Sequence, residues 1–514
     1  MDAPLLDQTA VAALREDLAG FTVDAVTDLL GPVAHAALGR EQPVPARQVL
    51  AAVAAGDPGG TLATLTTAFV LGTPVPRRST DAALPRLGAD GAIRLGLLAA
   101  AGAGPDDELR PLVDLRPYAA FDALGAADWW VVSDLGEAVS GGPLREDHVL
   151  GIGGASTTLA RCAIRRPVQR ALDLGTGCGV QALHTGRHAA ELTGTDLSAR
   201  ALAFAAFTLA LNGQPARLLQ GDLLSPVAGE QFDLVVSNPP FVITPRRPGV
   251  PAYRYRDGGR SGDDVVRELI TGLGPVLAPG GTAQLLGNWE HHRGEAWDER
   301  VGGWLDASGL DGWVVQRDVQ DPAEYAELWI RDGGRPDPAR YDALYSAWLG
   351  DFAARGVEAV GFGLIVLRRP PAAGSRCRLR RLEELRGPVD RPLGEHLAGC
   401  LQAHDWLAGT DDAALLAARP VVAPDVTEER HHRPGQEHPE VVLLRQGGGF
   451  GRTVRADTAL AGLVGACDGE LTVGQITGAL AQLLEVPVAQ LEAAVLPGGR
   501  MLTADGMLIP PAVN

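Results

Sequence analysis

Lysine is absent from this chain: among its 514 residues, all 45 basic side chains are arginine. Beside abundant Ala, 65 Gly and 37 Pro, this reads as the codon bias of a GC-rich genome, so arginine content alone does not denote phosphate binding. Cysteine is scarce as well. The five (Cys162, Cys178, Cys377, Cys400 and Cys467) are scattered, odd in number and without a C-x-x-C spacing, which argues against a disulfide framework or a zinc site. Long apolar runs are missing: charge or Gly/Pro interrupts each one well short of the roughly 20 residues that cross a bilayer. No basic-plus-apolar leader opens the sequence, so a cytoplasmic location and no membrane partner are expected. Positive charge is in deficit. A net charge of −18 works against unselective polyanion binding and leaves any phosphate to a local basic patch.

What is present divides into regions, and the length allows two or three domains, each able to bury a core. Residues 1–125 show helix-period apolar spacing, as in Val11 to Leu18 and Leu62 to Leu71, broken by Gly/Pro turns; a helical domain with room for a wing fits. From 126 to 370, strand and helix patterns alternate, which predicts a mostly parallel sheet covered on both faces. Residues 371–440, rich in Arg, Glu, Pro and His, read as a connector with some helix. Residues 441–514 read as a compact final domain that resembles a winged helix.

The chemistry lies in the middle region. Ala171-Leu-Asp-Leu-Gly-Thr-Gly-Cys-Gly179 reads as a buried strand entering a glycine-rich turn, at the strand end where open α/β sheets bind ligands. Its G-x-G-x-G spacing departs from the dinucleotide pattern, in which the third glycine comes one residue later, so pyrophosphate is the weaker ligand. Glu191 to Asp196 then reads as a second strand ending in an acid placed to accept hydrogen bonds from ribose hydroxyls. Leu219 to Asp222 ends a third apolar run with another acid, suited to an adenine amino group. Asp233-Leu-Val-Val-Ser-Asn-Pro-Pro-Phe241 places a polar tip directly after a short apolar strand.

In this order the motifs resemble class I S-adenosylmethionine-dependent methyltransferases over about residues 145 to 369, including a closing hairpin of Trp313 to Arg317 with Phe362 to Leu367. The Asn238-Pro239-Pro240-Phe241 tip resembles the subset that methylates amide or nucleobase nitrogen. The resemblance implies an α/β fold with a Rossmann-like seven-stranded core and S-adenosylmethionine as cofactor. It assigns Asp173, Gly175, Thr176, Gly177 and Gly179 to the cofactor loop, Asp196 to the ribose and Asp222 to the adenine, with Leu197 also binding cofactor and Asn238 facing cofactor and acceptor alike.

An amide or aromatic amine nitrogen has a delocalised lone pair, and no ordinary side chain removes its proton beforehand. The tip suits it geometrically: the Asn238 and Pro239 carbonyls accept the two N–H bonds, and Phe241 stacks on the flat acceptor. Consecutive prolines fix the turn and donate nothing. The following segment carries Arg246, Arg247, Arg254, Arg256 and Arg260 interleaved with Tyr253 and Tyr255. These either grip phosphate and stack a base or pair with nearby acids to order a loop. Its run through Asp263 looks like the post-tip segment of release-factor glutamine methyltransferases. Upstream, Arg145 to Leu159, with Ser156, Thr157 and Thr158, occupies the place that folds over the cofactor methionine end but lacks the Pro-Arg-x-Glu-Thr pattern of those enzymes.

Trp129 and Trp130 read as packing. His291-His292 and His431-His432 lack metal-ligand spacing, so no metal is expected, and Gly259 to Asp263 lacks the closing glycine of a serine elbow. The expected acceptor is a planar nitrogen in a macromolecule, with a protein glutamine amide ahead of an adenine or guanine amino group in RNA or DNA. A small-molecule acceptor or a non-catalytic binding scaffold are the remaining alternatives.

Overall fold

The computed structural model describes every residue except 1–2, 54–58, 137–138, 140–143, 335, 371–378, 388, 390–391 and 512–514. Two compact units form, one of Met1–Ala160, Arg166–Ala373 and Arg380–Glu384, the other of Arg161–Arg165, Gly374–Leu379 and Leu385–Asn514.

The first unit opens with short helices, from Gln8–Asp17 to Gly88–Arg94, beside a small antiparallel sheet of Val75–Pro76, Leu98–Ala100 and Glu108–Pro111. Asp7 caps the first helix by accepting the Ala10 N–H, and its apolar face buries Val11 and Leu14. Next comes a hairpin, Asp114–Asp122 against Gly125–Ser133. The expected boundary at 125/126 falls on its turn, where Gly125 has φ 90°. Rather than starting a new domain, the hairpin ties the N-terminal helices to helix Ala199–Leu211, which covers the central sheet. The Trp130 indole donates to Phe21 O, and the Asn212 side chain both accepts the Trp130 N–H and donates to its carbonyl.

The central sheet comprises β1 (Val168–Leu174), β2 (Ala189–Asp196), β3 (Arg217–Gln220), β4 (Phe232–Ser237), β5 (Leu277–His292), β6 (Asp311–Gln320), β7 (Val357–Arg368) and β8 (Arg380–Glu384). Their spatial order is β3-β2-β1-β4-β5-β7-β6-β8, with only the β5–β7 and β6–β7 pairs antiparallel. Strands covered on both faces need apolar residues on both. Ala171 and Leu172 of β1 and Leu234, Val235 and Val236 of β4 are at most 2% exposed. β1 and β4 run parallel, but successive strands are added outward in opposite directions from them, and the strand ends there open a crevice.

Two features differ from the expected seven strands and closing hairpin. Trp313 does pair with Val366 and Val315 with Leu364, but two helices, α1 (Pro322–Asp332) and α2 (Pro338–Arg355), intervene between those strands. An eighth strand, β8, extends the β6 edge in parallel, taken from the stretch read as connector.

More of that stretch is folded in the second unit: helix Gly394–Ala408 and strand Val426–His431 both belong to it. The strand's run of charge hid it, because both its faces are at least partly solvated. It pairs with Val441–Gln446, which pairs with Thr453–Ala456. Helices Thr458–Gly465, Val473–Leu483 and Val488–Ala504 then bury Leu463, Ile476, Val495 and Leu502 in one core. After the last helix comes only Leu508–Ile509, paired with Val421–Val422. Among the described residues no wing hairpin succeeds it, so the expected winged-helix order is not what this unit shows.

Candidate active site

The glycine turn after β1 is held by backbone: the Gly175 and Thr176 N–H groups both donate to Thr195 O, at 2.9 and 2.8 Å. Gly175, Gly177 and Gly179 have φ of 76°, 55° and 90°, the left-handed region where a side chain is strained. A Cβ on Gly179 would sit 3.4 Å from Ala205 Cα, so this glycine allows helix packing. One on Gly177 would meet nothing and project over open space. That space is a pocket of about 1150 Å³, partly open to solvent.

Asp173 is fully buried below the turn and accepts the Thr176 hydroxyl at 2.6 Å. Burial pushes its carboxyl up to about 7, with the Thr176 hydrogen bond opposing and the Asp196 charge adding to the rise. Asp196, on the pocket wall, accepts the Gly177 N–H at 3.0 Å and the Ser198 N–H at 2.8 Å; burial raises its pKa and those amides hold it down. Leu197 lines the same wall. Asp222 lines the pocket too, but at the surface, ion-paired with Arg260 at 2.7 Å.

On the opposite side, the Ser237 hydroxyl donates to Leu174 O at 2.7 Å and locks the ends of β4 and β1 together. Asn238, Pro239 and Pro240 come directly after it on the pocket wall. The Asn238 Oδ1 is buried and has no hydrogen-bond partner among the described residues. Pro239 O accepts the Phe241 N–H at 2.8 Å, which tightens the turn; a carbonyl has a second lone pair. That turn carries Phe241 away from the pocket. Its ring packs 5.5 Å from Phe362 and it does not line the cavity, so in this structure it is not a stacking surface for an acceptor.

The arginine-tyrosine segment is largely tied down by acids. Arg246 forms a two-point ion pair with Asp257, Arg256 pairs with Asp332, and Arg260 bridges Asp222 and Glu268. The Tyr253 hydroxyl donates to Gly333 O, and Arg247 is exposed and off the pocket wall. Of the residues expected to bind substrate, Arg254 and Tyr255 line the pocket. The loop-ordering role therefore accounts for Arg246 and Arg256, whose guanidinium groups already have carboxylate partners.

The upstream segment Arg145 to Leu159, expected over the cofactor, lines the pocket through Asp147 to Gly151 and Ser156. The Arg254 N–H donates to Glu146 O at 2.9 Å, and His148 meets the Tyr255 ring edge-on with centroids 5.8 Å apart. Burial lowers the His148 pKa, with the Asp134 charge opposing, so the imidazole is held toward its neutral form. Gln181 donates to Ser156 O at 2.6 Å, while its Oε1 and the Thr195 Oγ1 are buried without partners among the described residues. Both line the pocket, and neither stands out in sequence: Gln181 sits inside a helix and Thr195 inside a strand.

Residues 151–302 match the methyltransferase small domain, 18–111 a domain of unknown function (DUF7059) and 398–510 another (DUF7782). The ribosomal RNA small subunit methyltransferase C of Alcanivorax borkumensis is 35% identical over 121 residues, 24% of this chain and 33% of that one. The release factor glutamine methyltransferase of Deinococcus radiodurans is 33% identical over 232 residues, 42% of this chain and 81% of that one. Among solved structures, the T. thermophilus 16S rRNA N2 G1207 methyltransferase in complex with AdoMet and guanosine superposes with a TM-score of 0.25 at 18% identity, covering 46% of this chain and 58% of that one.

S-adenosylmethionine is the cofactor, and the pocket fits it. The volume is open above Gly177, Gln181 and Thr195 line it and carry buried oxygens without a partner among the described residues, and Asp196 and Asp222 supply carboxylates along the wall. An identity of 33% across four-fifths of a release factor methyltransferase is kinship beyond a shared fold: the chain belongs to the class I S-adenosylmethionine-dependent methyltransferases built on the small methyltransferase domain.

Proposed function

We propose that this N-methyltransferase acts on a glutamine side-chain amide of a protein, at the Asn238-Pro239-Pro240 tip. The observation that carries the proposal is the buried Asn238 Oδ1, an acceptor without a donor on the wall of the cofactor pocket. Leaving such a group unsatisfied costs about 1–3 kcal/mol, so the site favours a ligand that brings an N–H.

S-adenosylmethionine supplies an electrophilic methyl group. The chain's own residues bind and aim the acceptor. Asn238 Oδ1 takes one amide N–H, and the remaining lone pair of Pro239 O takes the other, which turns the nitrogen lone pair toward the methyl group. Orientation replaces prior deprotonation, and the prolines offer no competing N–H. Asp196 and Asp222 hold the ribose and adenine ends, and for Asp222 this means sharing its carboxylate with Arg260. The glutamine acceptor is supported by the Deinococcus relative. The second reading, an exocyclic amine of adenine or guanine in RNA or DNA, presents the same planar NH2 group; the Alcanivorax relative, named for ribosomal RNA, supports an RNA acceptor.

The test is methyl-label transfer from S-adenosylmethionine into cell extract, with separate protease and nuclease digestion afterwards. Protease-sensitive label is expected, whereas nuclease-sensitive label transfers the proposal to the nucleobase. Asn238→Ala is expected to lower turnover at least about a hundredfold while calorimetry shows an unchanged cofactor dissociation constant. Equal loss of both makes Asn238 structural.

A further inference from the structure

We infer that the helix pair α1–α2 is the positioning device for the acceptor side of the pocket, with Tyr325 and Asp332 as positioning residues. The inference rests on the proposed role of the Asn238 tip. Antiparallel neighbours such as β6 and β7 can be joined by a turn of a few residues. Here two helices intervene, and their contacts converge on the segment after the tip. No helix or strand lies between Ser237 and Asp264, so that segment takes its shape from what grips it.

The grips are specific. Tyr325 is 2% exposed, and its hydroxyl oxygen accepts the Ile243 N–H at 3.1 Å and the Asn288 Nδ2 of β5 at 2.6 Å. One residue earlier, the Val242 N–H donates to Arg256 O at 2.8 Å, and Phe241 bridges to Asp257. The place of Arg256 is therefore transmitted to the tip. Arg256 itself is held by α1: Nη1 donates to Trp329 O at 2.8 Å and to Asp332 at 2.5 Å. Asp332 also accepts the Tyr255 hydroxyl at 2.9 Å, which fixes a ring on the pocket wall. At the far end of the segment, the Glu290 N–H donates to Asp263 at 2.8 Å, and Glu290 is ion-paired with Arg355 of α2. Tyr325 thus acts on the tip through Ile243, and Asp332 acts on it through Arg256 and on the wall through Tyr255.

Tyr325→Phe keeps the ring and removes the acceptor. Asp332→Ala is the companion variant: the Asp332 side chain is itself 41% exposed, and its loss takes the carboxylate from the buried Arg256. In both, label transfer into cell extract is expected to fall about ten- to a hundredfold. The calorimetric dissociation constant for S-adenosylmethionine should move less than about twofold, while both variants stay folded with a lowered melting temperature, since each leaves a buried donor without its partner. Hydrogen exchange at the Ile243 amide should accelerate in Tyr325→Phe without a general rise across β4. Undiminished transfer in both variants overturns the inference. So does a parallel loss of transfer, cofactor affinity and melting temperature in both, which would make the two residues structural. The Asn238→Ala control separates the two levels: wild-type transfer there sinks the tip's role, whereas the exchange and transfer changes at Tyr325 and Asp332 still report on the helix pair.

Discussion

Asp173 and Asp222, one letter in two sequence motifs, do different work because of where the backbone leaves them. Asp173 lies beneath the glycine turn, cut off from water, with its carboxyl pushed up to about 7. A folded-state pKa above the unfolded one means that the native state holds the proton more tightly. The associated stability is full below about pH 4 and is lost as pH rises through about 7. Asp173→Asn cannot ionise, so its stability relative to wild type should grow by roughly a few kcal/mol between about pH 5 and about pH 8. Urea unfolding of both proteins at the two pH values measures it, and a constant difference would sink the idea. Asp222 instead lies exposed beside Arg260. Sequence showed both acids at strand ends, but only the surroundings separate a buried, protonatable group from a solvated one. The same holds for the arginines: Arg254 and Arg256 are indistinguishable in the sequence, and carboxylates from remote segments decide which one reaches the pocket.

At the scale of elements, the glycine turn does two jobs with one backbone conformation. Alanine at Gly177 or Gly179 should carry similar strain, roughly 1–2 kcal/mol for a left-handed residue. At Gly179 the new methyl group also meets Ala205 on the neighbouring helix, whereas at Gly177 it enters the ligand space. Gly179→Ala should therefore lower stability more than Gly177→Ala. Gly177→Ala should weaken S-adenosylmethionine binding beyond what its stability loss explains. Chemical unfolding and calorimetry on the pair test this, and equal effects on both readouts would refute the division. The strand-turn-helix pattern of this element was legible because all its parts are contiguous. The β6–β7 pairing was legible from apolar runs, but the purpose of the intervening helices was not, because their partners lie dozens of residues away.

At the scale of the molecule, the chain forms two compact units, and the pocket belongs wholly to the first. Heating should then give two transitions, and S-adenosylmethionine should raise only the one belonging to the first unit, since a ligand stabilises what it binds. Scanning calorimetry with and without cofactor checks this; a single transition that shifts as a whole would show that the units unfold together. No helix among the described residues is long and apolar enough to cross a membrane. Sequence by itself determined the methyltransferase fold and the cofactor, because a strand running into a glycine turn imposes its geometry through adjacent residues. Tertiary structure alone decided that the N-terminal helices share a unit with the catalytic sheet, that Phe241 turns toward Phe362, and that His148, Gln181 and Thr195 line the pocket. Those outcomes depend on contacts between distant segments, where burial and charge pairing select among placements that local sequence leaves open.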